Sequence, residues 1–153
     1  ARTEFAPSES QEHSPALTVV TNAVNIAAEL TVRHQIKIVV TGGVARPQSY
    51  ELIGPFAEEV LREVNIDITF LGVSAFNPIM GAAANHEDEA KVNRQMVQRS
   101  KKVVVVADSS KFTRTAFATI CAADQINTII TDSGADEKML EELRKLGIEI
   151  VIA

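Results

Sequence analysis

The chain has 153 residues, 46% of them hydrophobic and 23% charged, an ordinary balance for one soluble globular domain. Its net charge of −5 makes it a poor electrostatic match for nucleic acid. No run approaches the ~20 apolar residues of a membrane span. The single cysteine excludes an intrachain disulfide and fits a reduced compartment, the cytoplasm.

No signal-peptide pattern is visible, and the chain starts at Ala1 without a methionine, so it reads as a fragment. Ala1 to Ala16 reads as loop, punctuated by Pro7, Ser8, Ser10, Ser14 and Pro15, with His13 a solvated loop histidine. Leu17 to Thr21 is a short β-rich run ending at Asn22. Ala23 to Val32 has helical spacing, with Val24, Ala27, Ala28 and Val32 on one face. Ile36 to Val40 is the next strand. Gly42 and Gly43 follow it, where a backbone turns sharply and approaches a ligand closely. They do not form a G-x-G-x-x-G fingerprint, so no dinucleotide is indicated.

Gly43 to Ser49, with Arg46, reads as loop, and Tyr50 to Ile53 as a short extended segment. Gly54-Pro55 opens a helix whose apolar face is Phe56, Val60, Leu61 and Val64. Ile66 to Leu71 is a third strand, and Gly72 to Ala75 lies at its carboxyl end. Asn77 to Asn85, small and Gly/Ala-rich, reads as loop. An acidic first turn from His86 to Glu89 starts a helix running to about Ser100. Glu89 and Asn93 share one of its faces, a pair that is either solvated or lines a pocket.

Val103 to Val106 is four consecutive valines, suited to a strand buried on both faces of a parallel sheet. Straight after it come Asp108, Ser109, Ser110 and Lys111. A polar cluster at the carboxyl end of a buried strand lies where open α/β sheets bind ligands. Thr115 to Asp124 reads as a short helix and Thr128 to Thr131 as a strand. Asp136 caps a helix with Met139, Leu140, Leu143 and Leu146 inward, Gly147 ends it, and Ile148 to Ile152 is the last strand. Strands alternating with helices imply βαβ units, hence one α/β domain of doubly wound type with a mostly parallel sheet. Cys121, among Ile120, Ala122 and Ala123, reads as a buried inert thiol. The histidines and serines form no recognisable triad, and no cluster has metal-ligand spacing. No catalytic residue, metal or cofactor is therefore indicated.

Taken in order, Thr21-Asn22, Gly42-Gly43 with Arg46, Gly54-Pro55, Asp67-x-x-Phe70-Leu71-Gly72-x-Ser74, Ala107 to Phe112 and Ile129 to Asp132 form a series. From about Leu17 onward it resembles the C-terminal effector-binding domain of DeoR-family bacterial transcription regulators, with Ala107 to Phe112 the most specific part. The resemblance implies a fold like ribose-5-phosphate isomerase and glucosamine-6-phosphate deaminase. It also implies a phosphorylated sugar effector, and operator DNA bound through an N-terminal winged helix-turn-helix that would precede Ala1. The family's first strand and its Gly-Thr-Thr-Thr phosphate loop would precede Ala1 too. Operator-binding regulators of this kind are commonly symmetric homo-oligomers.

Asn22, Gly42, Gly43, Asp67, Gly72, Ser74, Asp108 and Lys111 match family positions near the ligand crevice, and Gly81 matches a glycine following the Asp67 strand. Arg46, Glu89 and Asn93 join them as candidate contacts. The chain departs from the family at Ala75, usually glycine, and at Asn93, usually lysine. On this reading backbone N–H groups and Lys111 hold phosphate, while Asp67, Asp108 and Asn22 bind sugar hydroxyls. The site is expected across the strand ends at Asn22, Thr41, Leu71 and Ala107. The alternative is a sugar-phosphate isomerase or deaminase on the same fold. Gly134-Ala135-Asp136-Glu137 copies an isomerase stretch, but the amphipathic helix that follows at once marks it as a helix N-terminus.

Overall fold

The computed structural model describes residues 17–153; the loop expected at residues 1–16, with His13, lies outside them. Strand β1 (Leu17–Thr21) pairs in parallel with β2 (Ile36–Val40), connected by helix α1 (Val24–Leu30). A hairpin of β3 (Val44–Arg46) and β4 (Glu51–Ile53) leads into α2 (Pro55–Arg62). Then come β5 (Ile66–Gly72), the short strands β6 (Ala75–Asn77) and β7 (Gly81–Ala84), α3 (Glu87–Arg99) and β8 (Ser100–Val106). The chain closes with β9 (Ala118–Cys121), β10 (Thr128–Thr131), α4 (Glu137–Lys145) and β11 (Glu149–Ile152).

The central sheet has the order β11-β10-β8-β5, parallel throughout. The valine run is its heart: Val103, Val104 and Val105 are all buried. Parallel strands with helices between them make this an α/β domain of doubly wound type. Helices α3 and α4 lie on one side of the sheet, because Ala90, Val97, Leu140 and Leu143 share a core cluster with Leu71, Val103, Val105 and Ile129.

A second cluster ties β1 to the central sheet. Ala57, Leu61 and Val92, from α2 and α3, pack against Val20 of β1 and Ile66 of β5. Both strands thus sit against the same two helices, yet among the described residues β1 pairs only with β2 and β5 only with β8. One face of β5 leaves apolar side chains exposed, Ile68 49% and Phe70 68%.

Helix boundaries follow the local chemistry. Pro55 starts α2, where its missing N–H costs nothing. The Asp136 side chain caps α4 by accepting the Lys138 N–H at 3.3 Å. Gly147 ends that helix at φ 84°. Several faces differ from expectation. Phe56 and Leu146 are exposed, and Ala57 takes the inward place expected of Phe56. In α1 only Ala27 is buried, while Val24 and Val32 face out.

Three segments differ in kind. Val44 to Arg46, read as loop, is a strand of the β3–β4 hairpin. Asn77 to Asn85, also read as loop, contains β7, which joins β6 and β9 in an antiparallel sheet. Thr115 to Asp124, read as helix, contains β9. Gly81 to Ala84 are all buried, so packing overrides the weak strand preference of glycine and alanine.

Cys121 is buried at the end of β9, and burial pushes its thiol up to about 11. At pH 8 only about a thousandth of it is thiolate. Alkylation of the native protein should therefore be at least a hundred-fold slower than after urea unfolding, by roughly the loss of thiolate alone. Equal rates, followed by mass spectrometry, would place the thiol at the surface.

Candidate ligand site

The carboxyl ends of the parallel strands carry two polar groupings. The first surrounds the end of β1. The Asn22 backbone accepts the Leu52 N–H at 2.7 Å, and its side-chain amide donates to the Leu52 carbonyl at 3.3 Å. These bonds lay β4 alongside Asn22 and set the β3–β4 hairpin over the strand end. Gly43 makes this possible. It sits at φ 123°, and a Cβ there would lie 2.5 Å from the Ile53 carbonyl oxygen. The close approach that the glycine allows is to the chain's own β4, while beside Gly42 the space is open.

On the hairpin, Arg46 donates to Glu89 of α3 at 3.0 Å, an ion pair with both side chains largely buried. Glu51 lies opposite Arg46 in the β3–β4 ladder, and Ser49 donates to it at 3.4 Å. Burial, and next the charge of Glu89, push the Glu51 carboxyl above its ordinary range; Ser49 and Arg46 oppose them. Asn93 lies one turn along α3 from Glu89 and is 6% exposed. Glu89 and Asn93 therefore lie on one face of α3, and Arg46 meets Glu89 there.

The second grouping runs along β5, β8 and β10. Gly72 pairs with Val106, so Val73 and Ser74 leave β5 at the same level as Ala107 and Asp108 leave β8. Ser74 Oγ accepts the Asn85 N–H at 3.2 Å. Asp108 opens a 3₁₀ turn, Ser109–Thr113, and accepts both the hydroxyl and the N–H of Ser110, which hold its carboxyl below the usual range. Lys111 rides on this turn. Among the described residues its ammonium forms no ion pair. Phe112 anchors the turn in the core, edge-on to Phe76 at 6.1 Å.

Asp132, not singled out as a site residue from sequence, joins the ends of β8 and β10. It accepts the Ser109 N–H at 2.7 Å and the Gly134 N–H at 2.8 Å, and these bonds lower its carboxyl. Glu51 and Ser49 were also missed. A glutamate in a short hairpin reads as solvated, and only the packing of α3 against β4 brings it inside. The Gly134 to Glu137 stretch is the start of α4, as its sequence setting implied.

Two expected contacts lie elsewhere. Asp67 is the second residue of β5, at its amino end, and is 84% exposed in an ion pair with Lys101 at 2.9 Å. The Lys101 hydrogen bond lowers its carboxyl. Four residues of extended strand lie between it and Gly72, a span of roughly 16 Å. Gly81 starts β7 and is buried against the backbone of Cys121 and Ala122, where its missing side chain serves packing. Neither faces the crevice at the carboxyl ends.

Caps, glycines and a lysine with no ion pair among the described residues, gathered at the carboxyl ends of parallel strands, are the arrangement of a ligand-binding α/β domain. The family described as the DeoR C terminal sensor domain matches residues 8–133, and the chain belongs to that family. It is 36% identical to a putative aga operon transcriptional repressor of Escherichia coli O157:H7, over 93% of this chain and 52% of that protein. It is likewise 36% identical to the HTH-type transcriptional regulator GlpR of Haloferax volcanii, over 86% of this chain and 51% of that protein. The HTH-type transcriptional repressor GlcR of Bacillus subtilis is 30% identical, over 88% of this chain and 52% of its own length. The chain thus spans about half the length of the curated relatives it matches. Among the described residues no helix is long and apolar enough to cross a membrane.

Proposed function

We propose that the chain is the part of a transcription regulator that senses a phosphorylated sugar, and that it binds this effector without converting it. Operator DNA is bound by a helix-turn-helix outside the chain, in a symmetric homo-oligomer. The regulator names of the relatives support the first half of this reading. The observation that carries the second half is Lys111, whose ammonium forms no ion pair among the described residues, on a capped turn at the carboxyl end of the central strand. An ammonium there is a point charge suited to a phosphate. The edges of β1 and β5 suit one more parallel strand, supplied by sequence upstream of the chain, since the same helices cover both. Its end would bring further backbone N–H groups to the crevice.

Calorimetry on the intact regulator with a panel of sugar phosphates tests the reading. At least one should bind, and its unphosphorylated sugar should bind poorly. Lys111→Ala should weaken that binding by ~1.5–3 kcal/mol, the range for a hydrogen bond to a charged group. It should leave the melting temperature nearly unchanged, because among the described residues the ammonium forms no ion pair. Undiminished affinity in Lys111→Ala would place the phosphate elsewhere, and turnover of the bound sugar would make the protein an enzyme.

A further inference from the structure

The grouping at the end of β1 has more negative charge than the fold uses. One guanidinium, Arg46, faces two carboxylates, Glu51 and Glu89. Arg46 is committed to Glu89 at 3.0 Å. Glu51 is left with a 3.4 Å bond from the Ser49 hydroxyl, a weak contact for a half-buried carboxylate. The carboxylates at the other end of the crevice are better satisfied: Asp132 accepts two backbone N–H groups and Asp108 accepts from Ser110. A half-buried carboxylate without a strong partner costs free energy unless something cationic meets it.

Asn93 gives a second and independent sign of a ligand. The residue is 6% exposed, and among the described residues its side chain forms no hydrogen bond. The only fully enclosed side-chain polar atom without a partner among those residues is Thr131 Oγ1. The amide atoms of Asn93 are therefore not sealed in the core. They open on the face of α3 that carries Glu89 one turn earlier. A nearly buried amide with free donors and acceptors thus lies one helical turn from Glu89, in a carboxylate pair that shares one guanidinium.

We propose that Glu51, Glu89 and Asn93 form the subsite for a positively charged nitrogen, so that the effector is an amino sugar phosphate and not its hydroxyl analogue. The proposal rests on the sugar-phosphate reading above. Lys111 takes the phosphate end and the Glu51 recess the ammonium end. Asn93 accepts from or donates to the neighbouring hydroxyl. Arg46 then acts as a positioning residue that holds Glu89 in place, and is not itself a phosphate ligand.

Pairs of sugars that differ only by an amino or a hydroxyl group at one carbon test this. The intact regulator is titrated with glucosamine 6-phosphate against glucose 6-phosphate, and galactosamine 6-phosphate against galactose 6-phosphate. In at least one pair the amino member should bind about tenfold more tightly or better, as expected for a charge-assisted contact. Glu51→Gln should bring the ratio within that pair to near one. The variant should melt no lower than the parent, since it removes a carboxylate facing Glu89. Equal or tighter binding of the hydroxyl member in both pairs overturns the amino-sugar subsite while leaving the sugar-phosphate reading intact. So does a preference that survives Glu51→Gln. If none of the four binds but another, unaminated sugar phosphate does, the amino-sugar subsite falls alone; if no sugar phosphate binds, both readings fall together.

Discussion

Gly81→Ala should be the most damaging single-methyl change in the domain, lowering stability by about 3–5 kcal/mol. Two costs add. The residue sits at φ 75°, a left-handed conformation that costs an L side chain roughly 1–2 kcal/mol. The new Cβ would lie 2.1 Å from the Cys121 carbonyl oxygen and 2.8 Å from the Ala122 Cα. Both are backbone atoms at the end of β9, so no side chain can swing away. The strand would have to move, and with it the ladder between β7 and β9. Urea unfolding of the intact protein measures the loss, and thermal unfolding should fall by roughly 2–4 °C per kcal/mol in a domain of this size. A loss under about 1 kcal/mol would mean that β7 and β9 are not packed as described.

Phe76→Ala should cost about 3–5 kcal/mol, the range for removing a buried aromatic ring. Phe76 is fully buried, and its ring meets Phe112 edge-on at 85°. The effect should not stay in the core. Phe112 follows Lys111 on the 3₁₀ turn, and the aromatic pair anchors that turn. Backbone amides from Ser109 to Thr113 should lose hydrogen-exchange protection by more than those of α4. Phe76→Leu, which keeps much of the volume, should recover most of both losses. Equal loss of protection in the turn and in α4 would show that the ring supports the domain generally and not the turn.

Residues with strong local signals announced their structure in the sequence. The valine run, Pro55, Asp136 and Gly147 each have a chemical reason to sit where they sit, and the parallel sheet and helix ends follow from them. The antiparallel strands were not legible. Gly81 to Ala84 has no branched or aromatic side chain, and Ala118 to Cys121 leads into an alanine-rich stretch that suits a helix. Their conformation is decided by each other and by Phe76, through contacts remote in sequence. The candidate site divides the same way. Asp108, Ser110 and Lys111 form a local turn and were visible. The joining of Arg46 to Glu89 was not, because it spans 43 residues and depends on α3 reaching the hairpin. Asp67 is a different kind of error. Its motif matched the family, but its place at the start of a strand already set it at the wrong end of the sheet.

The division between the β1–β2 pair and the central sheet bears on how an effector could be read out. A hydrogen-bonded ladder resists sliding, because each displaced bond must re-form in register. The contact of Val20 and Ile66 with Leu61 and Val92 has no register: aliphatic side chains attract without direction, and small shears between them are cheap. Asn22 and Glu51 sit on the β1–β2 side and Ser74, Asp108 and Lys111 on the central sheet, with the Arg46–Glu89 ion pair bridging the two. On the proposed reading, a molecule gripped at both of these ends would set the angle between the two like a strut between two boards, and its length and charge would become a mechanical quantity that the rest of a regulator could feel.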